Sequence, residues 1–181
     1  MKNEDKNIEE SAPVLLARHQ VEHFAREKTY YRPQEPLPEF LTGNKAGVFV
    51  SIHEKSGDLR GCIGTIAPVQ KNIAEEILRN AVSASSEDPR FPPISADELD
   101  SLTYSVDILE PPEPIKSEAE LDPKKYGVIV SLGYLRGLLL PNLDGVDTVD
   151  EQITIAMRKA GIPARERENI KLKRFLVTRY Y

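Results

Sequence analysis

Arg60, Cys62, Asp88 and Arg90 are the residues of this chain whose types and spacing could do chemistry. On a strand, Arg60 and Cys62 share one face about 7 Å apart. At an effective dielectric of about 20, the guanidinium would stabilise a thiolate by at most about 2.4 kcal/mol. That is useful activation only if the pair is partly enclosed. In such a hollow Cys62 would be a nucleophile, with His53 or Asp88 as base or orienter and Arg60 holding an oxyanion. The same residues suit a different task. Two arginines able to make bidentate contacts, beside a backbone opened by Gly61, would receive a small anionic ligand or a partner segment. A third reading makes Cys62 a small buried hydrophobe.

Residues 47–64 are expected to form the β-hairpin that positions this set. Val48, Val50 and Ile52 alternate with Phe49, Ser51 and His53, and Ser56-Gly57 supplies the turn. With those two residues at the centre of the turn, Ser51 faces Cys62, Phe49 faces Gly64, Val50 faces Ile63 and His53 faces Arg60. One face then carries Ser51, His53, Arg60 and Cys62, and a bulge would shift the register. Asp88-Pro89-Arg90-Phe91-Pro92-Pro93 reads as a stiff loop that fixes the directions of Asp88 and Arg90.

Helical spacing places a first helix over residues 13–28, with Val14, Ala17, Val21, Phe24 and Ala25 on its buried stripe. His19 and His23 project from the opposite side with no third ligand in view, so they read as solvated and no metal site is expected. A second helix, opened by Pro68, carries Val69, Ile73, Ile77, Ala81 and Ala84. Ser95 and Glu98 form a capping box before a strand over residues 103–109, and Glu110 to Pro114 breaks the pattern.

The second half repeats the first. Gly127-Val128-Ile129-Val130-Ser131 and Leu135-Arg136-Gly137 match Gly47-Val48-Phe49-Val50-Ser51 and Leu59-Arg60-Gly61, with a shorter turn. A helix with a Thr148–Glu151 capping box follows, and residues 172–180 read as one closing strand. Leu138 aligns with Cys62, so an apolar residue suffices at that place in the copy.

Length and 40% hydrophobic content fit one compact domain over residues 12–181, with sub-halves of about 12–112 and 113–181 and a disordered tail over 1–11. The single Cys excludes an intramolecular disulfide, and the beginning of the chain lacks the basic and apolar segments of a signal peptide, so the cytoplasm is expected. No stretch is apolar for long enough to span a bilayer. The net charge of −5 argues against general nucleic-acid binding, although residues 158–181 hold eight Lys or Arg against Glu166 and Glu168. No phosphate loop or dinucleotide fingerprint appears, and no cofactor is expected.

Leu59-Arg60-Gly61-Cys62-Ile63-Gly64-Thr65, Asp88-Pro89-Arg90-Phe91-Pro92-Pro93 and Lys159-Ala160-Gly161, in this order, make the chain resemble the AMMECR family over residues 12–181. That family is named for the AMME-syndrome candidate gene, and its bacterial and archaeal members are called AmmeMemoRadiSam system protein A. The chain departs from many relatives in having no Trp and in placing Ser85 where small alanines are usual. The resemblance implies an α+β fold of two related halves around one antiparallel, barrel-like sheet. The compound name further implies association with a Memo-like protein and a radical SAM protein, without placing catalysis on this chain. The leading expectation is a cytoplasmic binding or accessory module with a cleft lined by Arg60, Cys62, Asp88 and Arg90, in which Ser51, Arg60, Gly61, Asp88 and Arg90 bind the ligand. The alternative is a thiol-dependent enzyme using Cys62.

Overall fold

The structure, a computed structural model, describes residues 10–181; residues 1–9 of the expected tail lie outside the described residues. Among the described residues the chain divides into two compact units, one running to residue 108 and joined by 179–181, the other residues 109–178.

In the first unit, α1 (Ala12–Glu27) and α3 (Ile73–Ser86) pack together over the sheet that holds β1 (Val48–Glu54), β2 (Leu59–Thr65) and β3 (Leu102–Leu109). A one-turn helix, α2 (Glu39–Thr42), lies between α1 and β1. The alternation in β1 does what it predicts. Val48, Val50 and Ile52 are fully buried against Ala17, Val21, Ile77 and Ala81, while Phe49, Ser51 and His53 occupy the other face. Helix α3 begins at Ile73 rather than at Pro68, because the Asn72 side chain caps it through the Glu75 N–H at 2.9 Å. The fully buried Glu76 carboxylate then takes the Val69 and Gln70 N–H groups, each at 2.8 Å, and the Thr65 hydroxyl at 2.6 Å. Those amides are satisfied outside a helix, which leaves Val69 at the surface.

The second unit contains β4 (Glu113–Ile115), β5 (Gly127–Leu132), β6 (Leu135–Leu139), α4 (Val149–Ala160) and β7 (Lys171–Phe175). Its core is Val128, Val130, Leu139, Ile153, Ala156 and Met157. The Thr148–Glu151 capping box opens α4, and Gly161, at φ 70°, closes it in the left-handed region.

The β1–β2, β1–β3, β4–β7, β5–β6 and β5–β7 pairings are antiparallel and the class is α+β as expected, but with β8 (Val177–Tyr180) the strands form two four-stranded sheets, β2-β1-β3-β8 and β4-β7-β5-β6. Among the described residues no closed barrel forms. The single closing strand expected over residues 172–180 is two. It breaks at Leu176, so that β7 pairs in one sheet and β8 in the other. Alternation marks extension but does not name the pairing partner. Within the first unit, Arg179 grips the buried Asp107 with two hydrogen bonds of 2.7 and 2.8 Å, and Ser11 bonds the Tyr181 carbonyl. The proline-rich break also conceals β4, whose Pro114 lies on an edge strand, where its missing N–H costs no ladder bond.

The repeat is physical. Gly61 sits where a Cβ would fall onto the Ala84 carbonyl oxygen of α3, and Gly137 where one would fall onto the Ala156 carbonyl oxygen of α4. In each unit a helix carboxamide also donates to the start of the first strand, Asn80 to the Val48 carbonyl at 2.9 Å and Gln152 to the Tyr126 carbonyl at 2.7 Å. Replacing Gly61 or Gly137 by Ala is expected to destabilise its own unit by about 1–3 kcal/mol through overpacking against a backbone that cannot rotate aside. Chemical denaturation of each variant against the parent measures this, and a neutral result at both would refute the close-approach reading.

Candidate functional site

The predicted pairs Phe49–Gly64, Val50–Ile63 and Ser51–Cys62 are all present. The register then slips between Ile52 and His53, so that His53 faces Leu59 and Arg60 is the extra residue of a β-bulge. Placing Arg60 opposite His53, on the face of Cys62, is therefore corrected. The bulge turns Arg60 inward, where it is 7% exposed. There it donates to Glu98 through Nε at 2.7 Å and Nη2 at 3.1 Å, and to the Pro92 carbonyl through Nη1 at 2.9 Å. Glu98 is also the capping-box acid of the 3-10 turn Ala96–Ser101, accepting the Ser95 N–H at 2.9 Å. The bidentate Arg60 guanidinium, assisted by Ser95, holds Glu98 below its usual carboxylate range.

Asp88 and Arg90 meet β2 from the side. β2 ends its sheet, and Cys62 directs its backbone N–H and C=O away from β1. Asp88 Oδ2 accepts the Cys62 N–H at 3.0 Å, and Arg90 Nη2 donates to the Cys62 carbonyl at 3.2 Å. Two side chains thus stand in for one residue of a neighbouring strand. The Asp88 carboxylate also receives the Arg90 N–H at 3.1 Å, its Nε at 2.9 Å and its Nη2 at 2.7 Å. Four donors converge on a side chain that is 2% exposed. The Arg90 guanidinium chiefly, with the Cys62 and Arg90 backbone amides, holds Asp88 far below the usual carboxylate range despite its burial.

The sulfur has a different neighbour. Ser51 Oγ lies 3.2 Å from Cys62 Sγ, the only side-chain hydrogen bond the thiol makes among the described residues. Cys62 is half-buried. Asp88, with its acceptor sites filled, is a poor base, and the bulge sets His53 against Leu59. What remains outward is the Arg90 side chain, 54% exposed, with the Phe91 ring beneath it at 5.4 Å from Cζ. Arg60 Cζ lies 6.0 Å from the same ring.

Structure therefore brings Arg60, Gly61, Cys62, Asp88 and Arg90 into one neighbourhood in the first unit, with Ser51 under the thiol. It adds Glu98 and Phe91, which sequence reasoning missed. The capping box identified Glu98 as an N-terminal helix acid, but nothing local announced that its carboxylate also pairs with an arginine 38 residues away. His19 and His23 lie elsewhere, with ring centroids 5.3 and 6.0 Å from Tyr31. Among the described residues no three His, Cys, Asp or Glu converge to hold a metal, and no helix is long and apolar enough to cross a membrane.

Comparison with known proteins gives consistent matches. A family model described as AMMECR1 matches residues 14–180. A protein of Thermotoga maritima is 52% identical over 160 residues, covering 88% of this chain and 91% of that relative. One from Clostridium acetobutylicum is 49% identical over 181 residues, covering 98% of this chain but only 37% of that relative. Among solved structures, an uncharacterised protein from Pyrococcus horikoshii superposes with a TM-score of 0.83 at 31% identity, over 92% of this chain and 88% of that one.

The depressed Asp88 gives a sign to the pH response. Its folded value lies below its unfolded one, so its contribution to stability is complete above the ordinary Asp range and is lost as pH falls through the folded value. Asp88→Asn is expected to melt below the parent at neutral pH, and the gap is expected to narrow on acidification toward about pH 2. Thermal melts of both across that range check this; a gap independent of pH would contradict it.

Proposed function

The chain belongs to the AMMECR1 family, and on that premise we propose that it is a binding or accessory module whose Arg90–Phe91 corner receives an acidic partner segment or small anion. One observation carries this reading. The ionic groups nearest Cys62 are matched internally, Arg60 by Glu98 and Asp88 by Arg90, which leaves a rigid platform whose outward donor is the half-exposed Arg90 guanidinium. A preorganised guanidinium stacked on an aromatic ring suits recognition of a carboxylate or phosphate, since little side-chain freedom is lost on binding. The partners proposed are the Memo-like and radical SAM proteins that the family association suggests, acting in the cytoplasm.

The rival reading, Cys62 as a nucleophile, draws on the Ser51 hydroxyl directed at the sulfur. Both readings place Arg90 and Cys62 side by side, but only one requires a reactive thiol.

With purified Memo-like and radical SAM proteins, Arg90→Ala and Phe91→Ala are each expected to weaken association tenfold or more, or about 1.4 kcal/mol, with thermal melts separating that loss from the destabilisation that Arg90→Ala also brings by stripping Asp88 of its side-chain donors. Undiminished association in both variants would remove the proposed docking corner. Alkylation rate against pH separates the rival: an apparent thiol value of about 8.5 or above argues for an inert sulfur, and one near or below about 7 for nucleophilic chemistry.

A further inference from the structure

The two Leu-Arg-Gly segments carry arginines with opposite fates. In the first unit the bulge turns Arg60 inward onto Glu98. In the second the hairpin is regular through Leu132–Leu135, so Arg136 stays in register opposite Ser131 and is exposed. Ser131 is also opposite Lys171 on its other side, and Lys173 lies two residues along β7, opposite Ile129. Arg136, Ser131, Lys171 and Lys173 therefore project from the same face of the sheet. That face is opposite to Val128, Val130 and Leu139, which pack against α4, and the cations fringe its exposed end, since Ile129 and Leu138 on the same face are buried.

Strand spacing sets Lys171 and Arg136 about 10 Å apart across Ser131, and Lys171 and Lys173 about 7 Å apart along β7. Arg136 and Lys171 are exposed, and Lys173 and Ser131 half-exposed. No acid shares their face among the strand residues of this sheet, because Glu113 of β4 lies on the other side, paired with Arg174. The ion pairs of this unit use Lys124, Arg165, Arg167 and Arg174; among the described residues none uses Arg136, Lys171 or Lys173. Like charges on neighbouring positions of one sheet face oppose folding. A triangle of cations around a hydroxyl, with no acid inside it, is an arrangement that a bound polyanion would relieve.

We propose that this face of the second unit is an anion site for a diphosphate-bearing small molecule, held by Arg136, Lys171 and Lys173 beside Ser131, whose hydroxyl donates to the Lys171 carbonyl at 3.5 Å. Charge decides the class. Three cations match two linked phosphoryl groups, together about −3 at neutral pH, whereas a single carboxylate leaves the cluster strongly positive. Arg136 supplies the forked donor that a phosphoryl group accepts in pairs, and the lysines supply compact charges on either side.

Inorganic pyrophosphate is the probe. Calorimetric titration of the full chain is expected to show saturable one-to-one binding that weakens as salt is raised. Arg136→Ala, Lys171→Ala and Lys173→Ala are each expected to weaken it tenfold or more. Arg158→Ala, which removes an exposed cation on α4, is expected to leave it unchanged. In the absence of anion the three cluster variants should melt no lower than the parent, since each removes a repulsion, so retained folding is read in the same samples. Three results would overturn the proposal: no binding of pyrophosphate at millimolar concentration, equal weakening by Arg158→Ala, or tighter binding of a single-stranded oligonucleotide through the same three residues.

Discussion

The Asp88 carboxylate fixes the architecture around the candidate site. A strand at the end of a sheet presents unpaired N–H and C=O groups, and β2 does so at Cys62. Here a carboxylate and a guanidinium cover them in place of a further strand, and the thiol is half-buried. The carboxylate can remain ionised while buried only because four donors reach it. The Asp-Pro-Arg sequence makes this possible. Pro89 restricts the backbone between the two charged residues, so Arg90 returns to Asp88 through both its main chain and its side chain. The Ile94 N–H then ties the loop to the Ser85 carbonyl at 2.8 Å, which sets its position on α3.

A second constraint is shared by both units. Gly61 and Gly137 let a strand approach a helix carbonyl more closely than any side chain would permit. With that contact fixed, the residue before each glycine is free to differ. One extra residue in the first hairpin sends its arginine into the protein, and its absence in the second leaves the arginine outside. Pairing also shows that Ile129, not Ser131, stands opposite Leu138, in the place Ser51 takes opposite Cys62. The polar pair of one unit is an apolar pair in the other. This shift of two residues keeps every side chain on its face.

Much of this was legible in the amino-acid order. Alternation in residues 48–53 fixed which side of β1 is buried, capping boxes at Ser95 and Thr148 fixed two helix starts, and the repeated Leu-Arg-Gly announced the duplication. The class and the central three pairs of the hairpin followed. What was not legible is non-local. A bulge leaves no residue signature near Ser56-Gly57 that separates it from a regular two-residue turn, so Arg60 was placed on the wrong side. Helical periodicity ran on to Val69 because Glu76 captures two amides from a distance that spacing cannot register. The run over residues 172–180 looked continuous because extension is local and sheet membership is not.

That divided run bears on how the protein is made. Arg179 and Asp107 lie 72 residues apart in sequence, and Ser11 and Tyr181 lie 170 apart. Every residue assigned to the second unit leaves the ribosome before Arg179 does. The unit translated first is therefore the one completed last, with the β8 side of its β3 strand waiting uncovered throughout synthesis of its neighbour. The first sheet therefore gains its fourth strand only when the last residues of this run are made.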